Sequence, residues 1–174
     1  MNGEPTIHAS AVLIGARAIL IRGPTGSGKS RLAFDLIRAA ANGLLMFARL
    51  VADDRVRTRA VNGRLLASPP AALAGLIEIR GLGIRRLPYE GLAVVGQVVD
   101  LDTAGPDRMP ELDATRTVIA GVSLACLAVA RGEDPYFRVL ATLMSYPLAE
   151  AAAAPQCGIA TIAENRLRSA SGSS

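Results

Sequence analysis

The residues with the clearest chemical potential lie together at positions 23–30. Their sequence, Gly-Pro-Thr-Gly-Ser-Gly-Lys-Ser, matches the pattern G-x-x-x-x-G-K-[ST] of a phosphate-binding loop. Glycines let such a loop wrap closely round a phosphate and point its N–H groups inward, and the following helix adds partial positive charge. Lys29 would then reach the β- and γ-phosphates, and Ser30 would place its hydroxyl on Mg²⁺. The sequence therefore predicts that a nucleoside triphosphate such as ATP is bound by Gly23, Pro24, Thr25, Gly26, Ser27, Gly28, Lys29 and Ser30.

The composition sets Lys29 apart from the other cations. One of the 19 basic residues is lysine, and the other 18 are arginine. This lysine stands at the position of the loop where an ammonium group is needed. Its placement favours a functional loop over a glycine-rich turn before an ordinary helix.

A phosphate loop also needs carboxylates, because one acid must help to hold Mg²⁺ and another must accept the proton of an incoming hydroxyl. Asp53 and Asp54 end the apolar run of residues 44–52 and supply one candidate pair. Asp100 and Asp102 end a comparable run and supply another. Solvated turn residues are the alternative for either pair, and the spacing alone does not choose between them.

The elements around the loop are those that the motif requires. Residues 11–21 predict two short strands joined at Gly15, and the second strand leads into the loop. After Lys29, apolar residues recur at every third or fourth position, which predicts a helix with one buried face. Asn42 and Gly43 predict its end.

Further strands are expected along the chain, and they indicate an α/β fold: a P-loop domain with a mixed β-sheet. Residues 56–66 alternate around Asn62-Gly63, which predicts a hairpin. Residues 103–114 are rich in Pro, Asp and Gly and predict a loop, and the later apolar segments of 115–168 predict helices. The remaining strands are predicted at residues 44–52, 76–79 and 92–101.

Length and composition bound the class of protein. The 174 residues, 51% of them hydrophobic, predict one globular domain over residues 1–168 and a disordered Gly/Ser tail at 169–174. The apolar runs are too short to span a bilayer, and Glu4 and Arg17 give the wrong charge order for a secretory signal. We therefore expect a cytoplasmic protein without a membrane partner.

Two other classes are disfavoured by residue counts and spacing. The net charge of +4 comes from scattered arginines, and the chain has three Tyr, three Phe and no Trp to stack on bases, so no nucleic-acid partner is expected. Cys126 and Cys157 lack the spacing of a zinc or redox site and are predicted to be reduced thiols in the core.

Three strings taken together resemble the HPr kinase/phosphorylase family. They are the loop at 23–30, Leu-Val-Ala-Asp-Asp at 50–54 and Glu-Ile-Arg-Gly-Leu-Gly-Ile at 78–84, and the last is similar to the family's own signature. The resemblance covers roughly residues 6–135. It implies an enzyme that uses ATP to phosphorylate a serine of HPr, the small phosphocarrier of the sugar phosphotransferase system. It also implies removal of this phosphate by inorganic phosphate with release of pyrophosphate, a fold similar to phosphoenolpyruvate carboxykinase, and a homo-oligomer, usually a hexamer.

The resemblance further implies roles for the candidate residues. Asp53 or Asp54 would be the base that takes the serine proton, and Lys29 would neutralise the γ-phosphate. Ser30 and Glu78 would bind Mg²⁺, with Asp54 as a third candidate ligand.

Two more residues join the catalytic set by resemblance. His8, the only histidine, stands fifteen residues before Gly23, as the family's active-site histidine does. Arg108 resembles the arginine that follows the signature region, where a cation would offset transferred charge. A surface imidazole and a solvated loop arginine are the alternatives.

The sequence departs from the family in three respects. Arg31 follows Ser30 where the family has an acid, and residues 131–134 only loosely resemble the family's loop for phosphorolysis. The regulatory N-terminal domain of many members is expected to be absent, as in short forms of the alphaproteobacterial type. Two other functions therefore stay open: a small-metabolite P-loop kinase and a nucleotide-sensing module without turnover.

Overall fold

The computed structural model of the chain describes residues 6–104 and 115–145. The helices of this part are α1 (Lys29–Ala41) and α2 (Pro135–Met144), and a 3₁₀ turn covers Ala71–Leu73. Neither helix is both long enough and apolar enough to cross a membrane. The strands are β1 (Thr6–Ile7), β2 (Ala9–Ile14), β3 (Arg17–Arg22), β4 (Ala48–Ala52), β5 (Val56–Val61), β6 (Arg64–Ser68), β7 (Leu76–Ile79), β8 (Gly83–Arg86), β9 (Ala93–Thr103), β10 (Arg116–Ile119) and β11 (Val122–Ala130).

The chain divides into two units, residues 1–140 and 141–174. The strands of the described residues all lie in the first unit, and the described part of the second is residues 141–145. The predicted tail at 169–174 and Cys157 lie outside the described residues. The single domain over 1–168 stays a prediction.

Nine of the strands form one mixed sheet. Its order is β1-β5-β6-β9-β3-β2-β4, and β11 also pairs with β9 and carries β10. The strands β3 and β11 run parallel to β9, whereas the other pairs of this sheet are antiparallel. The prediction of an α/β fold with a mixed sheet is confirmed. Since β9 pairs with β6 through Ala93 and Val94 and with β11 through residues 97–103, the sheet branches at this strand.

Both faces of the strand that leads into the phosphate loop are buried. Ala18 and Leu20 of β3 belong to one hydrophobic cluster, and Ile19 and Ile21 belong to a second cluster that includes the apolar side of α1. A continuous apolar run is typical of a strand that is covered on both sides. Each large aliphatic side chain buried in this way contributes about 1.5–3 kcal/mol, which anchors the start of the loop.

The helix α1 begins and ends where the sequence predicts. Leu32 and Leu36 are buried against the sheet. At its end the N–H of Asn42 donates to the carbonyl of Arg38, and Gly43 takes a positive φ of 77°, which glycine adopts readily.

The predicted strand at 44–52 is wrong over its first four residues. The strand β4 covers only Ala48–Ala52, because Leu44 donates its N–H to Ala39 and continues the helix cap. Leu44 and Met46 are exposed, while Leu45 packs against the cluster around α1. The start of this apolar run thus belongs to the end of α1, and only its last five residues form the strand.

Two hairpins complete the first unit. The predicted hairpin at 56–66 is confirmed as β5–β6, and both Asn62 and Gly63 have positive φ, as a tight hairpin turn requires. The strand predicted at 76–79 is confirmed as β7, which among the described strands pairs only with β8, in a small sheet of two strands. The loop predicted at 103–114 lies outside the described residues from position 105 on.

Candidate functional site

The phosphate loop lies between β3 and α1, and three of its glycines have conformations that other residues rarely adopt. Gly23, Gly26 and Gly28 have φ values of 152°, 83° and 92°. A Cβ on Gly23 would also stand 2.7 Å from the Ser27 Oγ and 3.0 Å from the Leu101 Cβ. A Cβ on Gly26 or Gly28 would meet nothing within 4 Å, so glycine is favoured at these two positions by the positive φ alone.

The N-terminus of α1 opens into this loop without a side-chain cap. Gly28 is the N-cap residue, and it makes no side-chain hydrogen bond to the first turn. The free N–H groups and the helix dipole therefore favour an anion at this point. The Ser27 Oγ is buried and has no hydrogen-bond partner in the described part of the chain. This unmet hydroxyl and the uncapped helix fit a bound phosphate group.

Lys29 is buried beneath the loop. The residue is 6% exposed, and its Nζ donates to the carbonyls of Gly23 at 3.0 Å and Pro24 at 2.9 Å. Burial lowers the pKa of Lys29, while the negative charges of Asp53 and Asp54 act in the opposite direction. The ammonium group is thus held on two neutral carbonyls that a phosphate could replace.

Asp53 is the buried carboxylate of the site. It follows β4, is 4% exposed and accepts three hydrogen bonds. Its Oδ1 accepts from the Ser10 Oγ at 2.5 Å and from the Ser30 Oγ at 2.9 Å, and its Oδ2 accepts from the backbone N–H of Glu78 at 3.1 Å. One carboxylate therefore joins β2, the start of α1 and β7.

Asp54, unlike Asp53, is exposed to solvent. Its backbone turns into the left-handed region, with a φ of 65°, and its side chain is 60% exposed. The His8 Nδ1 lies 3.2 Å from the Asp54 Oδ1 and 3.1 Å from the Asp54 carbonyl oxygen. Adjacent residues in the sequence thus present one carboxylate to the interior and one to solvent.

The other predicted residues are placed as follows. Glu78 contacts Asp53 through its backbone only, and its side chain is exposed. Arg108 lies outside the described residues. Arg31 is exposed and lies 3.7 Å from Asp35, one turn along α1.

The competing acid pair has other partners. Asp100 accepts from the Arg22 Nε at 2.7 Å and from the Arg22 Nη2 at 2.6 Å, a two-point ion pair between β9 and β3. The Cys126 thiol lies 3.3 Å from the same carboxylate. Asp102 lies 4.0 Å from Arg131. The local geometry therefore favours Asp53 and Asp54 as the acids of the phosphate loop.

Ser10 is the contact that sequence reasoning missed. It is a fully buried residue in a strand that is otherwise apolar. A hydroxyl at such a position needs a hydrogen-bond partner, and this was the available signal.

The donor set suits Mg²⁺ better than a transition metal. The hydroxyl of Ser30 and the carboxylate of Asp53 are hard oxygen ligands, the type that Mg²⁺ takes in proteins. No group of three or more His, Cys, Asp or Glu side chains in residues 6–104 and 115–145 could hold a metal ion. Mg²⁺ commonly completes its coordination with water and substrate phosphates, so a sparse protein contribution fits this ion.

Comparison with known proteins links this site to one family. A family model described as the HPr Serine kinase C-terminal domain matches residues 1–88, half of the chain. The curated HPr kinase/phosphorylase of Clostridium tetani is 37% identical over 102 residues, covering 59% of this chain and 30% of that protein. The protein of the same name from Clostridium novyi is 35% identical over 112 residues, covering 60% and 34%. The chain spans about a third of the length of these relatives.

A solved structure shares the fold. The Hpr(Ser) kinase/phosphatase from Coxiella burnetii matches with a TM-score of 0.63 and 22% sequence identity, over 81% of this chain and 95% of that chain. At this level of sequence identity the match shows a shared fold.

Proposed function

The chain belongs to the family defined by the HPr serine kinase C-terminal domain, and on this basis we propose that it transfers the γ-phosphoryl group of ATP to a serine of HPr. The observation that carries the proposal is the pair of acids after β4. Asp53 is buried against the hydroxyl of the loop residue Ser30, and Asp54 is exposed beside His8. The buried carboxylate suits a cation, and the exposed one suits a base that must meet a protein substrate.

The loop and α1 bind the triphosphate in this proposal. The N–H groups at the start of α1 and the Ser27 hydroxyl donate to phosphate oxygens, and the Lys29 ammonium neutralises the γ-phosphate. Ser30 and Asp53 hold Mg²⁺, and the exposed Glu78 carboxylate is available as a further ligand. When bound, the ion offsets the charge of the transferring phosphoryl group.

Asp54 is the base in this proposal, and Asp53 is assigned to the cation. The Asp54 carboxylate takes the proton of the HPr serine as the serine oxygen bonds to the γ-phosphorus. The bond from that phosphorus to the bridging oxygen breaks, and ADP leaves with the electron pair. His8, at 3.2 Å, orients the carboxylate. Most of the acceleration comes from positioning and charge stabilisation.

The same groups serve the reverse sense. Inorganic phosphate attacks the phosphoserine phosphorus, the serine oxygen leaves with a proton returned by Asp54, and pyrophosphate is released. The names of the curated relatives, kinase/phosphorylase, support this second activity.

The wider properties belong to the same proposal. The fold is of the phosphoenolpyruvate carboxykinase type, the protein works in the cytoplasm, and it assembles as a homo-oligomer, a hexamer by family resemblance. Arg108 keeps the role that the family resemblance implies, which is to offset transferred charge.

The deciding experiment is incubation of the full chain with ATP, Mg²⁺ and the HPr of its own organism. Mass spectrometry of HPr is expected to show the addition of one phosphoryl group on a serine. Addition of phosphate to the product is expected to restore the original mass and to release pyrophosphate. HPr that keeps its mass, while a small hydroxyl compound is phosphorylated in parallel, would contradict the proposal and favour a metabolite kinase.

A matched pair of variants links the activity to the loop. Lys29→Met is expected to lower the rate by about 100- to 1,000-fold, the usual effect of removing one charge-stabilising donor. Arg38→Met removes a cation from the other end of α1, where it contacts Asp35 on the surface, and is expected to leave the rate unchanged. ATP binding without any product would instead favour a nucleotide sensor.

A further inference from the structure

We infer that Ser10 is a positioning residue for the Mg²⁺ site, in that its hydroxyl holds the Asp53 carboxylate in place for the cation. The inference rests on the proposed function, since it assumes that Asp53 and Ser30 take Mg²⁺ with the nucleotide. It concerns a residue of β2, outside the phosphate loop and the strand end that carry the site.

The position of Ser10 in the sheet explains its orientation. Side chains alternate along β2, so that Ala9 and Ala11 lie in one hydrophobic cluster and Val12 lies in the cluster on the α1 side. Ser10 therefore points to the α1 side, toward the start of the helix. The pairing of β2 with β4 shifts between Ala11 and Val12, where one residue of β4 is left over. Such an irregularity redirects the side chains that follow it, and Asp53 follows directly after β4.

Burial makes the hydrogen bond from Ser10 a strong constraint. Ser10 is 0% exposed, and its Oγ lies 2.5 Å from the Asp53 Oδ1. A buried hydroxyl and a buried carboxylate each lose their water, so the hydrogen bond between them stabilises both groups. Hydrogen bonds to charged groups are also stronger than those between neutral ones.

The three donors to Asp53 are not equivalent. Ser30 belongs to the loop and is itself a proposed ligand, and the Glu78 N–H reaches the other oxygen, Oδ2. Ser10 shares Oδ1 with Ser30, but it is fully buried and belongs to β2 rather than to the phosphate loop. Its hydroxyl fixes the carboxylate that the cation needs without taking part in the chemistry. Substitution of a residue that hydrogen-bonds a metal ligand in this way typically lowers metal affinity or activity by about 10- to 100-fold.

Titration of ATP binding with Mg²⁺ tests this inference in Ser10→Ala. Calorimetry at a fixed ATP concentration is expected to show that the Mg²⁺ needed for half-maximal binding rises about 10-fold or more. In the HPr assay kcat is expected to fall, whereas the KM for HPr stays unchanged, because Ser10 does not contact the acceptor. Ser10→Thr keeps a hydroxyl and is expected to restore much of the Mg²⁺ response.

Two further variants make the result decisive. Ser68→Ala removes a hydroxyl from another strand of the sheet and is expected to bind as the unaltered chain does. If Ser10→Ala does not fold in a thermal melt, Ser10→Cys replaces it, because a thiol of similar size is only a weak donor. A folded Ser10→Ala or Ser10→Cys protein with the Mg²⁺ response of the unaltered chain would overturn the inference. Weakened Mg²⁺ binding in these variants, together with an unaltered chain that does not phosphorylate HPr, would support Ser10 and refute the proposed acceptor.

Discussion

At the scale of single residues, the site depends on the divergence of two adjacent aspartates. Asp53 continues the inward direction set by β4 and is held by three donors. Asp54 turns into left-handed backbone, which sends its side chain out to His8 and solvent. A non-glycine residue with positive φ is uncommon and carries a cost in backbone energy. The two carboxylates can therefore serve different purposes at one strand end.

Separate asparagine substitutions at the two positions are expected to have different effects. Asp54→Asn removes the proposed base, so kcat is expected to fall by about 100- to 10,000-fold while ATP binding in the presence of Mg²⁺ persists. Asp53→Asn removes the buried charge, so the Mg²⁺ dependence of ATP binding is expected to be lost. Calorimetry and initial rates with HPr measure the two effects. Full activity of Asp54→Asn would assign the base elsewhere.

The Cys126 thiol is expected to be unreactive near neutral pH. Burial, followed by the negative charge of Asp100, raises its pKa from the ordinary value of 9.0 to about 11. At pH 8 the folded chain should therefore be alkylated about 10- to 100-fold more slowly than the unfolded chain, because the thiolate is the nucleophile. Iodoacetamide labelling in a Cys157→Ser background isolates this thiol.

The raised pKa of Cys126 also makes the stability of the fold depend on pH. Between the two pKa values the unfolded chain loses the thiol proton and the folded chain keeps it, so the free energy of unfolding falls as the pH rises from 9.0 to about 11. Equal labelling rates for folded and unfolded protein at pH 8 would contradict the burial of Cys126.

Part of the residue-level site follows from the sequence. The loop motif identifies Lys29 and Ser30, because each position of the motif has a fixed task. Neither the separation of Asp53 from Asp54 nor the bond from Ser10 could be predicted. The first depends on the left-handed backbone of Asp54, and the second depends on the register between β2 and β4, which brings together residues that are 43 positions apart.

At the scale of elements, the phosphate loop joins a buried strand to an uncapped helix. The strand, loop and helix could be predicted because apolar periodicity and glycine positions are local signals. The branching of the sheet at β9 could not, since it depends on two strands from distant parts of the chain, β6 and β11, that share one partner. The helix cap formed by Leu44 also escaped prediction, because an apolar run does not distinguish a cap from a strand.

Substitution of Gly23 tests the tight start of the loop. Gly23→Ala forces a Cβ to within 2.7 Å of the Ser27 Oγ at a φ of 152°, so a loss of about 1–3 kcal/mol in the free energy of unfolding is expected, with weaker ATP binding. Gly91→Ala is the control, because a Cβ there would meet nothing within 4 Å. Urea denaturation gives the stability of both variants. Equal midpoints would show that the loop tolerates a side chain at its first position.

At the scale of the whole molecule, the site draws on three neighbouring strands at one end of the main sheet's order and on the small second sheet. The loop follows β3, Ser10 belongs to β2, Asp53 follows β4, and Glu78 lies on the separate β7–β8 sheet. A ligand that binds these groups together is expected to stabilise the fold, because they have no fixed relation in the unfolded chain.

A thermal shift measures this coupling. At a concentration of ATP with Mg²⁺ about 100 times its Kd, the stabilisation is about 2.7 kcal/mol, which corresponds to a rise in Tm of about 5–10 °C for a chain of this size. Lys29→Met is expected to show little of this rise. A full rise in that variant would place nucleotide binding outside the loop.

The hydrogen bond between Ser10 and Asp53 also has a consequence for assembly of the sheet. Slippage of β2 by one position would turn Ser10 to the far side of the strand and bring an alanine in its place. A compact but misassembled chain would still bury apolar surface, yet it would lack the hydroxyl behind the carboxylate. Catalytic activity would therefore be expected only in chains whose strands are paired in the correct register.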